Sequence, residues 1–225
     1  MSNVAVKICG LRDVETALCA ARAGADYLGF VFFRKSPRDI SAEAAEELIS
    51  AVKQASEEEG FALPGRVGLF VDAGERELAE AAHFLTQFQF HGRESPERCA
   101  EMGVEFAMDV IKALPIASAD DIARASEYAE AADMMLFDAR PPGDAKRPGG
   151  HGVAFDWSLL EAYQSATPYL LAGGLTPENV AEAVGAPKSD AFAGVDVSSG
   201  VESAMGVKDN GLIERFIAAA KNAAK

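Results

Sequence analysis

The chain has 225 residues, 49% of them hydrophobic, and 21 Lys and Arg against 35 Asp and Glu give a formal net charge of −14. That length buries one large core or two small ones, and the acidic balance repels nucleic-acid phosphates and anionic lipid faces, so neither is an expected partner. No apolar run approaches the roughly 20 residues that span a bilayer, and Cys9, Cys19 and Cys99 form no C-x-x-C pair, which points to a cytoplasmic setting without a disulfide framework or zinc site.

Short β-branched or aromatic runs alternate with segments of helical period. Val4 to Cys9 reads as the first strand, and Asp13 caps a helix striped by Val14, Ala17, Leu18 and Ala21 that Gly24 stops. Tyr27 to Phe32 reads as the second strand, and Ser41 caps a helix striped by Ala45, Leu48, Ile49 and Val52. Arg66 to Val71 is the expected third strand, followed by a helix bearing Leu78, Ala81, Ala82 and Leu85, and Phe88 to His91 the fourth. Ser95-Pro96-Glu97 opens the next helix, and Glu105 to Ile111 is the expected fifth strand. Ala119 to Ala131 reads as helix, Met134 to Asp138 as strand, Asp156 to Gln164 as helix and Tyr169 to Ala172 as strand. Pro177 to Val184 reads as helix, Phe192 to Val197 as the eighth strand, and a stripe of Leu212, Ile213, Phe216, Ile217 and Ala220 closes the chain.

Eight such units without a Pro/Ser-rich linker fit one closed, parallel (β/α)₈ barrel, an α/β fold occupying residues 1–225 as a single domain. A doubly wound sheet is the alternative, but neither G-x-G-x-x-G after the first strand nor G-x-x-x-x-G-K-[ST] occurs. His83, His91 and His151 are too widely spaced for a local metal motif, and no metal is expected.

Barrel chemistry gathers at the C-terminal strand ends. Gly173-Gly174 after the seventh strand and Ser198-Ser199-Gly200 after the eighth put backbone N–H groups and hydroxyls where barrels hold phosphate. Cys9 and Asp138, ending the first and sixth strands, face one barrel mouth as a thiol and a carboxyl group, an acid–base pair if the acid is raised and the thiol lowered. Arg38, in a loop with Arg34 and Lys35, is suited to clamp a carboxylate. Gln89, His91 and Asp196, at the ends of the fourth and eighth strands, complete the candidate substrate-binding set.

Lys7-Ile8-Cys9-Gly10, Gly29-Phe30-Val31-Phe32, Lys35-Ser36-Pro37-Arg38, Phe90-His91-Gly92, Phe155-Asp156-Trp157, Ala172-Gly173-Gly174-Leu175 and Val195-Asp196-Val197-Ser198-Ser199-Gly200-Val201-Glu202 occur in that order. Together they resemble the phosphoribosylanthranilate isomerases of tryptophan biosynthesis, nearly end to end. The resemblance implies that Cys9 is a general base, Asp138 a general acid and Arg38 the holder of an anthranilate carboxylate, with phosphate on the two terminal turns. It implies an Amadori rearrangement with no organic cofactor, on a phosphorylated, carboxylated small molecule, by a monomer or homodimer. Two positions depart from the family pattern: Gly149-Gly150-His151-Gly152 lacks the usual hydroxyl residue, in a Gly/Pro-rich loop that begins at Arg140, and Arg34 stands where a smaller or uncharged residue is usual. The competing readings are another phosphate-binding barrel isomerase or lyase, against which a Cys rather than an Asp on the first strand argues, and a binding module that has lost its chemistry.

Overall fold

The computed structural model describes residues 4–139 and 156–223. Strands β1 (Ala5–Cys9), β2 (Tyr27–Phe32), β3 (Gly65–Phe70), β4 (Gln87–Phe90), β5 (Asp109–Ile116), β6 (Met134–Ala139), β7 (Tyr169–Leu171) and β8 (Phe192–Val197) are all parallel. They follow one another in chain order and close into a barrel where β1 pairs with β8. Around it run α1 (Val14–Arg22), α2 (Ala42–Glu59), α3 (Glu75–Ala82), α4 (Pro96–Phe106), α5 (Ala119–Ala123), α6 (Val180–Gly185) and α7 (Asn210–Ala223).

Period-2 alternation along the strands makes two apolar layers. Val6 and Ile8 of β1 face outward into a core that includes Ala17 of α1, Leu48 of α2 and Phe216 of α7. Val67, Ile111, Ala113, Leu136, Leu170 and Ala172 form a separate buried cluster, which fills the lumen. Caps expected from the sequence are formed: Asp13 Oδ1 accepts from Thr16 N at 2.8 Å, Ser41 Oγ from Ala44 N at 3.2 Å and Ser95 Oγ from Arg98 N at 3.3 Å.

The structure corrects several boundaries. The expected strand Glu105 to Ile111 begins only at Asp109 and runs to Ile116, because α4 continues through Phe106, whose ring packs edge-on against Phe88 at 5.6 Å. Ala107 ends that helix at φ +52°, a left-handed stop usually supplied by glycine and therefore invisible in the composition. The expected helix Ala119 to Ala131 is one α-turn followed by a 3₁₀ segment, Arg124–Tyr128, and the segment Asp156 to Gln164 is 3₁₀ over Trp157–Ala162. The helix expected from Pro177 starts only at Val180, since Asn179 Oδ1 accepts from Thr176 N at 2.8 Å and holds a turn there. After β8 come a 3₁₀ turn, Ser199–Val201, and an unforeseen antiparallel hairpin, β9 (Glu202–Ala204) and β10 (Val207–Lys208). Among the described residues no helix is long and apolar enough to cross a membrane.

Candidate active site

The lumen becomes polar toward the strand ends. Cys9, Gln89, His91, Asp138 and Asp196 are all buried there, together with Lys7, which the sequence reading left inside a motif without a role. Lys7 Nζ donates to Asp196 Oδ1 at 2.7 Å across the β1–β8 register.

Asp138 is the candidate acid, and burial first and the neighbouring Asp196 carboxylate second push it up to about 7, against a lowering contribution from the Ala139 backbone and Lys7. It holds its proton close to neutral pH. Cys9 is also raised: burial dominates, with Lys7 pulling the other way more strongly than Asp196 pushes. A lowered thiol would suit a base, and burial of Cys9 in an apolar cluster with Val31 and Leu69 is what raises it instead. The other thiols, Cys19 and Cys99, are free and raised to about 11 by burial. His91 is pulled down to about 3 by burial, then Lys112 and Lys7, so it is neutral. Its Nε2 stands 3.5 Å from Asp138 Oδ2, too long for a strong hydrogen bond, and Gln89 Nε2 lies 3.5 Å from its Nδ1. Gln89 Oε1 and His91 Nε2 are buried without a hydrogen-bond partner among the described residues. Buried polar atoms left unpaired are costly, which marks this stretch of the lumen as unusual.

Beside this row, Arg38 is buried and forks onto Glu202, Nε to Oε1 at 2.6 Å and Nη2 to Oε2 at 2.9 Å. Lys208 adds a third bond to Glu202 Oε1 at 2.8 Å and donates to Ser198 O at 2.9 Å. Burial works against the Glu202 charge, yet the Arg38 and Lys208 bonds outweigh it and hold the carboxyl down at about 2. Glu202 and Lys208 join the site only because the hairpin folds back, and the Met205-Gly206 turn was the available signal. Arg34 and Lys35 do not enter this cluster; they line a cleft of about 470 Å³ with Val71, Asp72 and Glu77. His151 and the rest of Gly149-Gly150-His151-Gly152, with Arg140 and Phe155, lie outside the described residues.

The two glycine turns touch. Gly173 and Gly174 have φ of +85° and +65°, and a Cβ on Gly173 would stand 2.4 Å from Ala139 N and 3.0 Å from Asp138 Oδ1. A Cβ on Gly200 would fall 1.8 Å from Leu175 O, so the turn after β8 lies directly on the turn after β7. Ser198 Oγ donates to Cys9 O at 3.0 Å, tying the second turn to the end of β1. Acid, thiol, arginine and both glycine turns thus share one barrel end.

Residues 6–219 match the family model described as N-(5′-phosphoribosyl)anthranilate (PRA) isomerase. The chain is 52% identical over 223 residues to the N-(5′-phosphoribosyl)anthranilate isomerase of Rhodospirillum rubrum, covering 98% of this chain and 99% of that protein. It is 48% identical over 219 residues to that of Paracoccus denitrificans, covering 96% and 97%. The crystal structure of phosphoribosyl anthranilate isomerase from Thermotoga maritima superposes with a TM-score of 0.80 at 36% identity, over 97% of this chain and 99% of that one. A phosphoribosyl anthranilate isomerase in complex with reduced 1-(o-carboxyphenylamino)-1-deoxyribulose 5-phosphate superposes at 0.77 with 35% identity and the same coverage.

Proposed function

The chain belongs to the N-(5′-phosphoribosyl)anthranilate isomerase family, and on that premise we propose that Cys9 and Asp138 perform its chemistry as general base and general acid. It is an isomerase of tryptophan biosynthesis, converting N-(5-phosphoribosyl)anthranilate to 1-(2-carboxyphenylamino)-1-deoxyribulose 5-phosphate. The observation that supports the residue assignment is the buried Asp138 carboxyl, raised to about 7, at the same barrel end as a buried thiol.

Asp138 protonates the furanose ring oxygen, the C1′–O bond opens and the anthranilate nitrogen becomes a Schiff base. Cys9, as thiolate, takes the C2′ proton, and the electron pair moves to the iminium to give an enolamine. Transfer of the C2′ hydroxyl proton to C1′ completes the amino-ketose, and the proton gained by Cys9 is returned to Asp138 by exchange with solvent, so no electron leaves the substrate and no co-reactant enters. Arg38 retains N–H groups beyond the two given to Glu202 and receives the anthranilate carboxylate. Gly173, Gly174, Ser198, Ser199 and Gly200 take the phosphate, and Gln89, His91 and Asp196 border the ribose. The reading extends to one catalytic domain over residues 1–225, acting in the cytoplasm as a monomer or homodimer.

The test is steady-state conversion of N-(5-phosphoribosyl)anthranilate, generated in situ and followed by anthranilate fluorescence. Loss of fluorescence in step with enzyme concentration is expected, and no turnover by the native chain would overturn the assignment. The pH dependence follows from the pair, which must share one proton between them. Below about 7 both groups carry a proton, and only when the thiol, raised from its ordinary 9.0, ionises do both lose theirs. The kcat/KM profile is therefore expected to rise through about pH 7 and fall only in the alkaline range; a profile falling between pH 6 and 8 would contradict it. Gly200→Ala is expected to push the two turns apart and lower kcat/KM about 10²-fold, with a thermal midpoint only several degrees lower. Unchanged kinetics in a folded variant would remove these turns from the phosphate site.

A further inference from the structure

Between the two titration ranges the majority form of the pair is carboxylate at Asp138 and thiol at Cys9, whereas the reaction needs the reverse. The inference below rests on the assignment of those two residues and concerns what makes the reverse form accessible.

Lys7 is 0% exposed, in the lumen of a barrel, and its Nζ is held by Asp196 Oδ1. Desolvating two charges costs about what their attraction returns, and apolar side chains of similar size often serve stability as well or better. Stability alone therefore gives no reason for the pair. Its other side does. Opposite β1, Gly29 of β2 leaves a niche in which the point a Cβ would occupy is 3.0 Å from Cys9 Sγ and 3.1 Å from Lys7 Nζ. The ammonium and the thiol look into the same hollow, and only a residue without a side chain leaves them so placed.

Besides Cys9, five charged or titratable groups among the described residues face this row: Lys7 from β1 itself, Asp196 from β8, Lys208 from β10, Asp138 from β6 and His91 just after β4, whose neutral ring has its Nε2 3.5 Å from Asp138 Oδ2, while β2 contributes only Gly29 and Val31. On Cys9 the leading charge is Lys7; on Asp138 it is Asp196. The ion pair thus acts with opposite sign on the two ends of the site.

We propose that the Lys7–Asp196 ion pair is the positioning element that makes the reactive placement of their shared proton accessible, the ammonium favouring thiolate at Cys9 and the carboxylate favouring neutral acid at Asp138. Neither group exchanges a proton with substrate in this role. Asp196 also keeps Lys7 charged, since its attraction and that of Cys9 outweigh burial and leave the ammonium raised.

The experiment compares the native enzyme with Lys7→Met/Asp196→Asn, in which neither charge is left buried alone. Iodoacetamide labelling of Cys9 against pH, read by mass spectrometry, is run beside the kcat/KM profile, with a thermal melt to establish folding. The labelling inflection is expected to move up by about one pH unit or more, and the plateau of kcat/KM to fall at least about tenfold. The rising limb moves down as Asp138 loses its carboxylate neighbour and the falling limb moves up, giving a lower, broader bell. A purely structural role would lower the plateau with both limbs in place, and an unmoved labelling inflection overturns the proposal. Should the double variant not fold, Gly29→Ala separates Nζ from Sγ with both charges kept; its labelling inflection is expected to rise as well, and coincidence with the native curve counts against the proposal. Labelling needs no substrate, so a native chain that labels as expected but does not turn over would sink the isomerase assignment separately.

Discussion

Asp138→Asn is expected to lower kcat by about 10²–10⁴-fold with little change in KM, and Cys9→Ala to do the same. Asparagine keeps the shape of the buried carboxyl beside His91 and Gly173 but has no acidic proton to give the ring oxygen. Alanine removes the base while leaving Val31 and Leu69 packed around a smaller side chain. Because ring opening and C2′ deprotonation are successive parts of one conversion, the double variant should be barely slower than the worse single one. Fluorescence assays of the three variants, with melts to confirm folding, decide it. A folded Cys9→Ala enzyme within about tenfold of native would require another base.

Glu202→Ala is expected to have the largest effect on stability, a loss of about 3–5 kcal/mol. Glu202 is the common acceptor for Arg38 and Lys208, and its removal leaves two buried cations facing each other without a counter-ion. For a domain of this size the thermal midpoint should fall by roughly 10 °C, and substrate affinity should fall with it as Arg38 loses its seat. The same contact has a pH signature. Because the folded Glu202 titrates near 2, below its ordinary 4.5, its contribution is fully present above the ordinary value and fades as pH falls through 4.5 toward 2. The native protein should therefore lose more stability across that acid window than Glu202→Ala does, as read by denaturant melts at several pH values; parallel losses would show that the pair is not stabilising.

Much of the barrel was legible because its signals are local. Asp13, Ser41 and Ser95 announce helix starts three residues ahead of the N–H they cap, and six-residue apolar runs such as Tyr27 to Phe32 have no competing helical reading. The fifth strand was misplaced because its preceding helix ends on Ala107, whose left-handed conformation leaves no mark in residue type. Within the site, Cys9, Asp138, Arg38 and the glycine turns are visible as unusual residues at strand ends. Lys7 was not, since a lysine in an apolar strand acquires meaning only when Asp196 is placed beside it. Glu202 is hidden for the same reason, its partner Arg38 being 164 positions distant.

Those distances carry a temporal meaning. During synthesis, the segment bearing Lys7 and Cys9 emerges near the start, yet their partners Asp196 and Ser198 are 189 residues further along. Local βα units can form as the ribosome proceeds, but the seam between β1 and β8 cannot close until the last strand is released. Until then the first strand has an unpaired edge and an uncompensated ammonium, which discourages docking into a neighbouring nascent sheet. The reactive centre is complete only once β8 is available to pair with β1, so a chain stalled before residue 196 holds its thiol without the Lys7–Asp196 pair beside it.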